Sequence, residues 1–294
     1  IAEDARVAAA FDAAKAAADF EIAVERWKKK VAEAKAAGKP LPRKPVDPVT
    51  LHERKTGRGT LFNGKIAPLV PYAIRGVVWY QGEANSHPGK GALYQYQLPA
   101  LVNDWRARWG ERLPFAWVQL PNFAREGEDW MLVREAMLKS LRLPTTGMAI
   151  TIDIGEANNI HPKNKQEVGR RLSLWALGEV YGKKVADTSG PLPAGHETRG
   201  AEMVVSLTHA GGLQAKDGAL RGFVIAGEDK QWKPAQARIE GDQVVVSSPE
   251  VEKPVAVRYA WADNPDCNLQ NGADLPASPF RTDDWPVPSE SPSK

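Results

Sequence analysis

The chain has 294 residues, 43% hydrophobic and 26% charged, with a net charge of +3. This suits a soluble globular protein with room for two domains, and no basic stripe interleaved with aromatics points to nucleic acid. No apolar run approaches the roughly 20 residues of a membrane span, and the single cysteine, Cys267, excludes an internal disulfide framework or a cysteine-based zinc site.

The chain opens at Ile1 without an initiator methionine or signal peptide, and reads as a piece or processed form of a longer chain. Residues 2–37 are rich in Ala, Lys and Glu and free of Pro and Gly, a strong helix composition. Val7, Phe11, Phe20, Val24, Trp27 and Val31 recur at spacings that give an amphipathic helix, with a break near Asp19 as the point where it would fold into a hairpin. Gly38 ends the helix, and Pro40, Pro42, Pro45 and Pro48 make an extended linker. Thr60–Leu69 reads as a turn and short helix.

From there strands and helices alternate. Ile74–Tyr80 is an apolar run of strand length that reads as a buried parallel strand, followed by a helix over Leu93–Trp109. Phe115–Gln119 is a second strand, Met131–Leu141 a helix, Met148–Ile154 a third strand and Lys165–Tyr181 the closing helix. Asn164 with Glu167 three residues on has capping-box spacing for that last helix. Such alternation is the signature of an α/β fold with a parallel sheet, in which function collects at the carboxyl ends of the strands. After Gly182 the pattern changes to short strands at 202–209, 219–226, 235–240, 243–247 and 255–261, which reads as a β-sandwich. Phe280–Pro288 is a Pro- and Asp-rich tail, and Ser289–Lys294 reads as disordered. The expected organisation is therefore a helical arm and linker over 1–48, an α/β part over 49–184, a β-sandwich over 185–288 and a tail over 289–294.

Three strand ends carry polar clusters: Gln81–Asn85, Gln119–Asn122 and Asp153–His161. Gln81 and Asn85 have amide side chains able to donate to a developing oxyanion, and Gly82 admits close approach of the backbone. Glu83 beside them reads as an orienting group; a polar loop after a strand is the plain alternative. His161, between a strand and a helix and near acidic and amide side chains, is placed to act as a general base, although on this stretch alone the helix cap is the favoured reading. Ser86, Ser140 and Ser173 lie in a turn or in helices, and no G-x-S-x-G or Gly-Asp-Ser motif occurs. Asp153, Glu156 and Glu83 also admit weaker readings, as a carboxylate pair for sugar hydrolysis or, with His161 and His87, as a metal site. His52, His87, His196 and His209 are assigned to the surface or to turns. The ten tryptophans read either as core or as sugar-stacking platforms.

Three long runs carry a specific resemblance. They are TLFNGKIAPLVPYAIRGVVWYQGEAN (60–85), IDIGEANNIHPKNKQEVGRRL (152–172), and VAVRYAWADNP (255–265) with LPASPFRTDDW (275–285). In order and spacing they resemble the sialate O-acetylesterase family of the SGNH hydrolases. The resemblance implies part of a flavodoxin-like three-layer SGNH fold followed by a β-sandwich. It implies Ser–His acyl transfer on acetyl esters of sugars, with no metal or organic cofactor, in a secreted or periplasmic setting. It makes His161 the base, puts Gln81, Gly82 and Asn85 in the oxyanion region, and sets Glu83 in the same block. Two departures stand out. The Gly-Asp-Ser block that carries the family's nucleophile is not in this sequence, so the resemblance implies a further N-terminal segment or chain as a partner. The Asp that many SGNH enzymes place three residues before the His is Asn158 here, which leaves Asp153 or Asn158 as candidate partners of His161. A noncatalytic module binding glycan or a partner chain is the competing reading, and a glycoside hydrolase using Glu83 is the third.

Overall fold

The computed structural model describes residues 11–56, 59–110, 112–124 and 129–287. The chain divides into two compact units, Ile1–Tyr72 and Ala73–Lys294.

In the first unit the Ala-rich segment forms α1 (Ala13–Ala36), started by the Asp12 carboxylate accepting from the Lys15 amide at 2.9 Å. The helix runs unbroken through Asp19, so the hairpin expected there does not form. No Gly or Pro interrupts the run, and Ala and Lys propensity carries it through. Val7 and the first turn expected near Ala2 lie outside the described residues. The Pro-rich linker folds back on α1, where the Trp27 indole donates to Pro42 O at 2.8 Å. It ends in a helix that the sequence reading overlooked, α2 (Pro48–Thr56). Asp47 caps α2 by accepting from the Val49 amide and the Thr50 hydroxyl, and Pro48 supplies a preset φ at its first position. Phe62–Ile66 and Ala67–Leu69 then make short helical turns.

The second unit opens with a three-stranded parallel sheet in the order β1–β2–β3: β1 (Val77–Trp79), β2 (Phe115–Val118) and β3 (Thr146–Ala149). The helix α3 (Tyr94–Trp109) connects the first pair and α4 (Trp130–Ser140) the second, and the two helices pack together. α5 (Lys165–Trp175) packs on β2 and β3, its Trp175 ring lying where a Cβ on Gly147 would come within 2.2 Å. Every residue of β2 is buried, as its apolar run predicts. β1 is not: it is an edge strand, and Val78 is 63% exposed, so the expectation of a fully buried first strand fails. β3 also ends earlier than expected. Its pairing stops at Ala149 opposite Val118, and residues 150–154 already belong to a loop.

Two four-stranded antiparallel sheets follow. One has the order β4–β5–β10–β9, from β4 (Leu192–Arg199), β5 (Glu202–Thr208), β9 (Gln236–Glu240) and β10 (Gln243–Ser247). The other has the order β13–β11–β7–β8, from β7 (Phe223–Ala226), β8 (Lys233–Pro234), β11 (Ala256–Tyr259) and β13 (Phe280–Arg281). A third ladder pairs β6 (Gln214–Ala215) with β12 (Leu269–Gln270). Met203, Val205, Val244 and Val246 of the first sheet and Ile225, Val257, Tyr259 and Phe280 of the second join one hydrophobic core. Phe115, Trp117, Met137 and Ile150 of the α/β part belong to the same core. The stretch expected as tail is tied in as well: β13 pairs with β11, and Asp283 makes a bidentate ion pair with Arg258 at 2.7 and 2.8 Å.

Candidate active site

All three parallel strands point their carboxyl ends the same way, so the segments after Trp79, Val118 and Ala149 emerge at one edge of the sheet. The block after β1 is wired through side-chain amides. Gln81 Nε2 donates to Asn85 Oδ1 at 2.8 Å, and Asn85 Nδ2 donates to Gln97 Oε1 of α3 at 2.8 Å. Each amide nitrogen carries two hydrogens, so each keeps one N–H for another acceptor. Tyr94, at the start of α3, fixes the near end of this chain. Its hydroxyl accepts from the Trp79 indole at 3.2 Å and lies 3.0 Å from Gln81 O and 3.2 Å from Gln81 Oε1. Burial pushes the Tyr94 phenol up to about 12, which keeps it a proton-bearing donor. Glu83 accepts from the Gly82 amide at 2.9 Å, an orienting contact on its own loop. A Cβ on Gly82 would meet Met137 Cε at 2.7 Å and Leu120 Cδ2 at 3.4 Å, so this backbone lies directly on the core. Ser86 is buried, and its hydroxyl donates to Glu83 O at 2.7 Å.

The block after β3 is held differently. Arg171 of α5, its side chain only 5% exposed, donates to Ile150 O at 2.6 Å and grips Asp153 with two bonds of 2.6 and 2.8 Å. Its Nε reaches Glu167 at 2.8 Å, and Arg170 also pairs with Glu167. Those two guanidinium groups, Arg170 first, hold the Glu167 carboxyl at about 2, well below the usual carboxylate range. The loop itself is stapled by Glu156, which accepts from the Lys163 amide at 2.9 Å and the Asn159 side chain at 3.4 Å. The Lys163 amide leads the causes that keep the Glu156 carboxyl below its ordinary value. Between these staples sits His161. Its backbone amide donates to Asn159 Oδ1 at 3.0 Å, while its side chain is exposed and makes no hydrogen bond or ion pair among the described residues. Pro162 behind it is buried, and Asn164 caps α5 by accepting from the Glu167 amide at 3.2 Å.

Of the two candidate partners of His161, Asp153 is committed to Arg171 and Asn158 is exposed without a hydrogen bond among the described residues. Neither is brought to the imidazole. Glu83, Asp153 and Glu156, considered as a carboxylate pair, each serve a different structural contact.

The loop after β2 joins the blocks together. Asn122 Oδ1 accepts from the Gly155 amide at 2.7 Å, and a Cβ on Gly155 would lie 2.1 Å from Asn122 O. Arg134 of α4 is fully buried and donates to the carbonyls of Leu120, Pro121, Ala262 and Asp263 at 2.6–2.9 Å. Burial brings its guanidinium down to about 9. Lys165, the first residue of α5, reaches Tyr80 OH at 3.2 Å and sits 4.5 Å from the centre of its ring, tying the third block to the end of β1. Sequence reasoning missed Tyr94, Gln97, Arg134 and Arg171. The first two had a signal: they stand three apart in the first turn of an amphipathic helix, facing the strand it follows.

Residues 60–177 match the family model described as "Carbohydrate esterase, sialic acid-specific acetylesterase". The chain is 30% identical to sialate O-acetylesterase from Mus musculus over 76% of its own length and 47% of that protein. It is 30% identical to the Homo sapiens sialate O-acetylesterase over 80% of its length and 50% of that protein. It therefore spans about half the length of the curated relatives it matches. Among solved structures, a carbohydrate acetylesterase from Xanthomonas citri superposes with a TM-score of 0.75 at 43% identity, over 82% of this chain and 58% of that one. The amide-wired block after β1 and the His161 loop both fall inside the matched region, and residues 60–177 are a domain of the sialic acid-specific acetylesterase family of carbohydrate esterases.

Proposed function

We propose that this chain carries the base and oxyanion half of a carbohydrate O-acetylesterase site, on a partial SGNH three-layer fold (within 49–184) joined to a β-sandwich (185–288). A serine supplied by a segment outside this sequence attacks the acetyl carbonyl. Its proton passes to the imidazole of His161, and the free N–H groups of Gln81 and Asn85 take the negative charge forming on the carbonyl oxygen, with Gly82 allowing the close approach. The imidazolium then protonates the departing sugar oxygen. Water repeats the sequence on the acyl-enzyme, and acetate leaves. Each oxyanion donor of this kind is worth about 10²–10³ in rate, and a general base about 10²–10⁴.

The observation that carries this reading is the solvent-open imidazole of His161, on a loop stapled on both sides, at the same sheet edge as a hydrogen-bonded amide chain. The open outer edge of β1, with Val78 exposed, supports the nucleophile-bearing segment adding a strand there. A secreted or periplasmic setting follows from the same reading; among the described residues no helix is long and apolar enough to cross a membrane. The test is acetate release from O-acetylated sugars and from p-nitrophenyl acetate, by this chain alone and with its upstream segment supplied. Release only with the upstream segment is the expected result. Release by this chain alone would refute the external nucleophile. Saturable glycan binding without release in either form would favour a noncatalytic module, and sugar cleavage without acetate a glycosidase.

A further inference from the structure

At the opposite end of the same sheet, where β3 begins, lies a cavity of about 260 Å³ that the proposed reaction does not use. It is separated from the candidate active site by the length of a four-residue strand, ~13 Å at about 3.3 Å per residue. Its volume is just under the roughly 300–1,000 Å³ of clefts that take drug-sized ligands, room for one small ring.

Its apolar lining comes from Leu141, Met148, Leu192 and Trp175. The polar lining groups include Glu179, Thr188, Ser189 and His209. They are held in place by a defined set of bonds. His209 Nδ1 lies 2.6 Å from Asp187 Oδ1, which leaves Nε2 as the ring nitrogen turned to other partners, and none of the described residues binds it. The Thr188 hydroxyl donates to Glu179 at 3.0 Å, so its lone pairs stay available. The amides of Thr188 and Ser189 both donate to Asp187. Asn271, fully buried, clips the two segments together by donating to Ser189 O at 3.0 Å and His209 O at 2.9 Å. His209 itself has φ +53°, a left-handed conformation uncommon outside glycine, so the fold holds a strained backbone to present this ring. Gly178 allows the helix end to approach, since a Cβ there would lie 2.3 Å from Thr188 Cγ2.

We infer that this cavity is a second binding site, for a small neutral polyhydroxylated ring of pyranose size. A lining that combines apolar side chains and a tryptophan ring with acceptors and an imidazole held through Nδ1 matches a sugar ring, which has a C–H face and a hydroxyl rim. No lysine or arginine lines the cavity, and Glu179 disfavours an anionic ligand. Among the described residues no three His, Cys, Asp or Glu side chains gather to hold a metal ion, so His209 acts here as a hydrogen-bonding group. This site does not depend on the esterase reading, and it is tested on this chain as it stands.

The experiment is NMR of the labelled chain, following the His209 ring and Trp175 indole signals during titration with neutral methyl pyranosides (gluco, galacto, manno and xylo), with N-acetylneuraminate and with methylamine. The expected result is a saturable shift of both signals with at least one neutral pyranoside, at least tenfold weaker in His209→Ala. Glu179→Gln, on the exposed rim, retains an acceptor for Thr188 and guards against a folding defect in the first variant; it should weaken the same pyranoside severalfold with an unchanged melting temperature. Saturation by methylamine or N-acetylneuraminate but by no neutral pyranoside would overturn the proposal. So would equal pyranoside affinity in wild type and both variants, or no saturable shift with any pyranoside.

Discussion

The two blocks that emerge at the same sheet edge are built by opposite means. After β1, the candidate side chains are themselves the structural bonds: Trp79, Tyr94, Gln81, Asn85 and Gln97 form one hydrogen-bonded chain anchored in the core. After β3, the scaffold is ionic and backbone-based, through Arg171, Asp153, Glu167 and Glu156, and the His161 side chain at its centre is bound by none of the described residues. The difference matches what each block would have to do. Charge on an oxyanion is best met by dipoles that are already fixed, whereas a base has to exchange a proton with successive partners.

Breaking the ionic scaffold gives the largest expected effect. Arg171→Met leaves Asp153 without its partner, Glu167 with Arg170 alone, and Ile150 O without its donor, at a cost of about 3–5 kcal/mol. Chemical denaturation measures it, and a change under 1 kcal/mol would mean the scaffold is not what holds this block. On the other side, Tyr94→Phe removes the acceptor of the Trp79 indole and the donor to Gln81, at about 1–3 kcal/mol. The same variant should broaden or shift the Gln81 and Asn85 side-chain amide signals while leaving the His161 ring signals in place; equal disturbance of both blocks would erase the distinction between them.

Acid sharpens the contrast. The Glu167 carboxyl is held at about 2 in the folded chain against an ordinary 4.5. A depressed folded value stabilises above the unfolded one and loses that contribution as pH falls from about 4.5 towards 2. Glu167→Gln should therefore flatten the stability curve over that window, and denaturation curves at pH 2.5 to 5 that run parallel to wild type would contradict the ionic account. Least in size, Asn164→Ala removes the cap of α5 for about 1 kcal/mol, read from the melting temperature.

Much of this architecture was legible from local chemistry. β2 announced itself as an apolar run, and Asn164 as the α5 cap, because burial and capping act within a few residues. β5, β7, β9, β10 and β11 followed the spacing of their turns, whereas the two-residue β6 and β8 and the mostly exposed β4 escaped notice. Thr151–Ile154 reads as strand from its alternating isoleucines, yet a strand ends where its partner ends, and β2 stops at Val118. The candidate site was legible as side chains after strands. Its supports were not: Arg134 binds carbonyls up to 129 residues away, and no spacing rule reaches that far. Nor does any local pattern tell that Asp153, one of the two candidate partners of the base, belongs to Arg171.

The central claim is that His161 moves the proton. The direct measurement is kcat for acetate release by the full-length protein, wild type against His161→Ala, with the melting temperature of both. A loss of about 10²–10⁴ in kcat at an unchanged melting temperature is the predicted result. Unimpaired turnover in the variant would contradict the account.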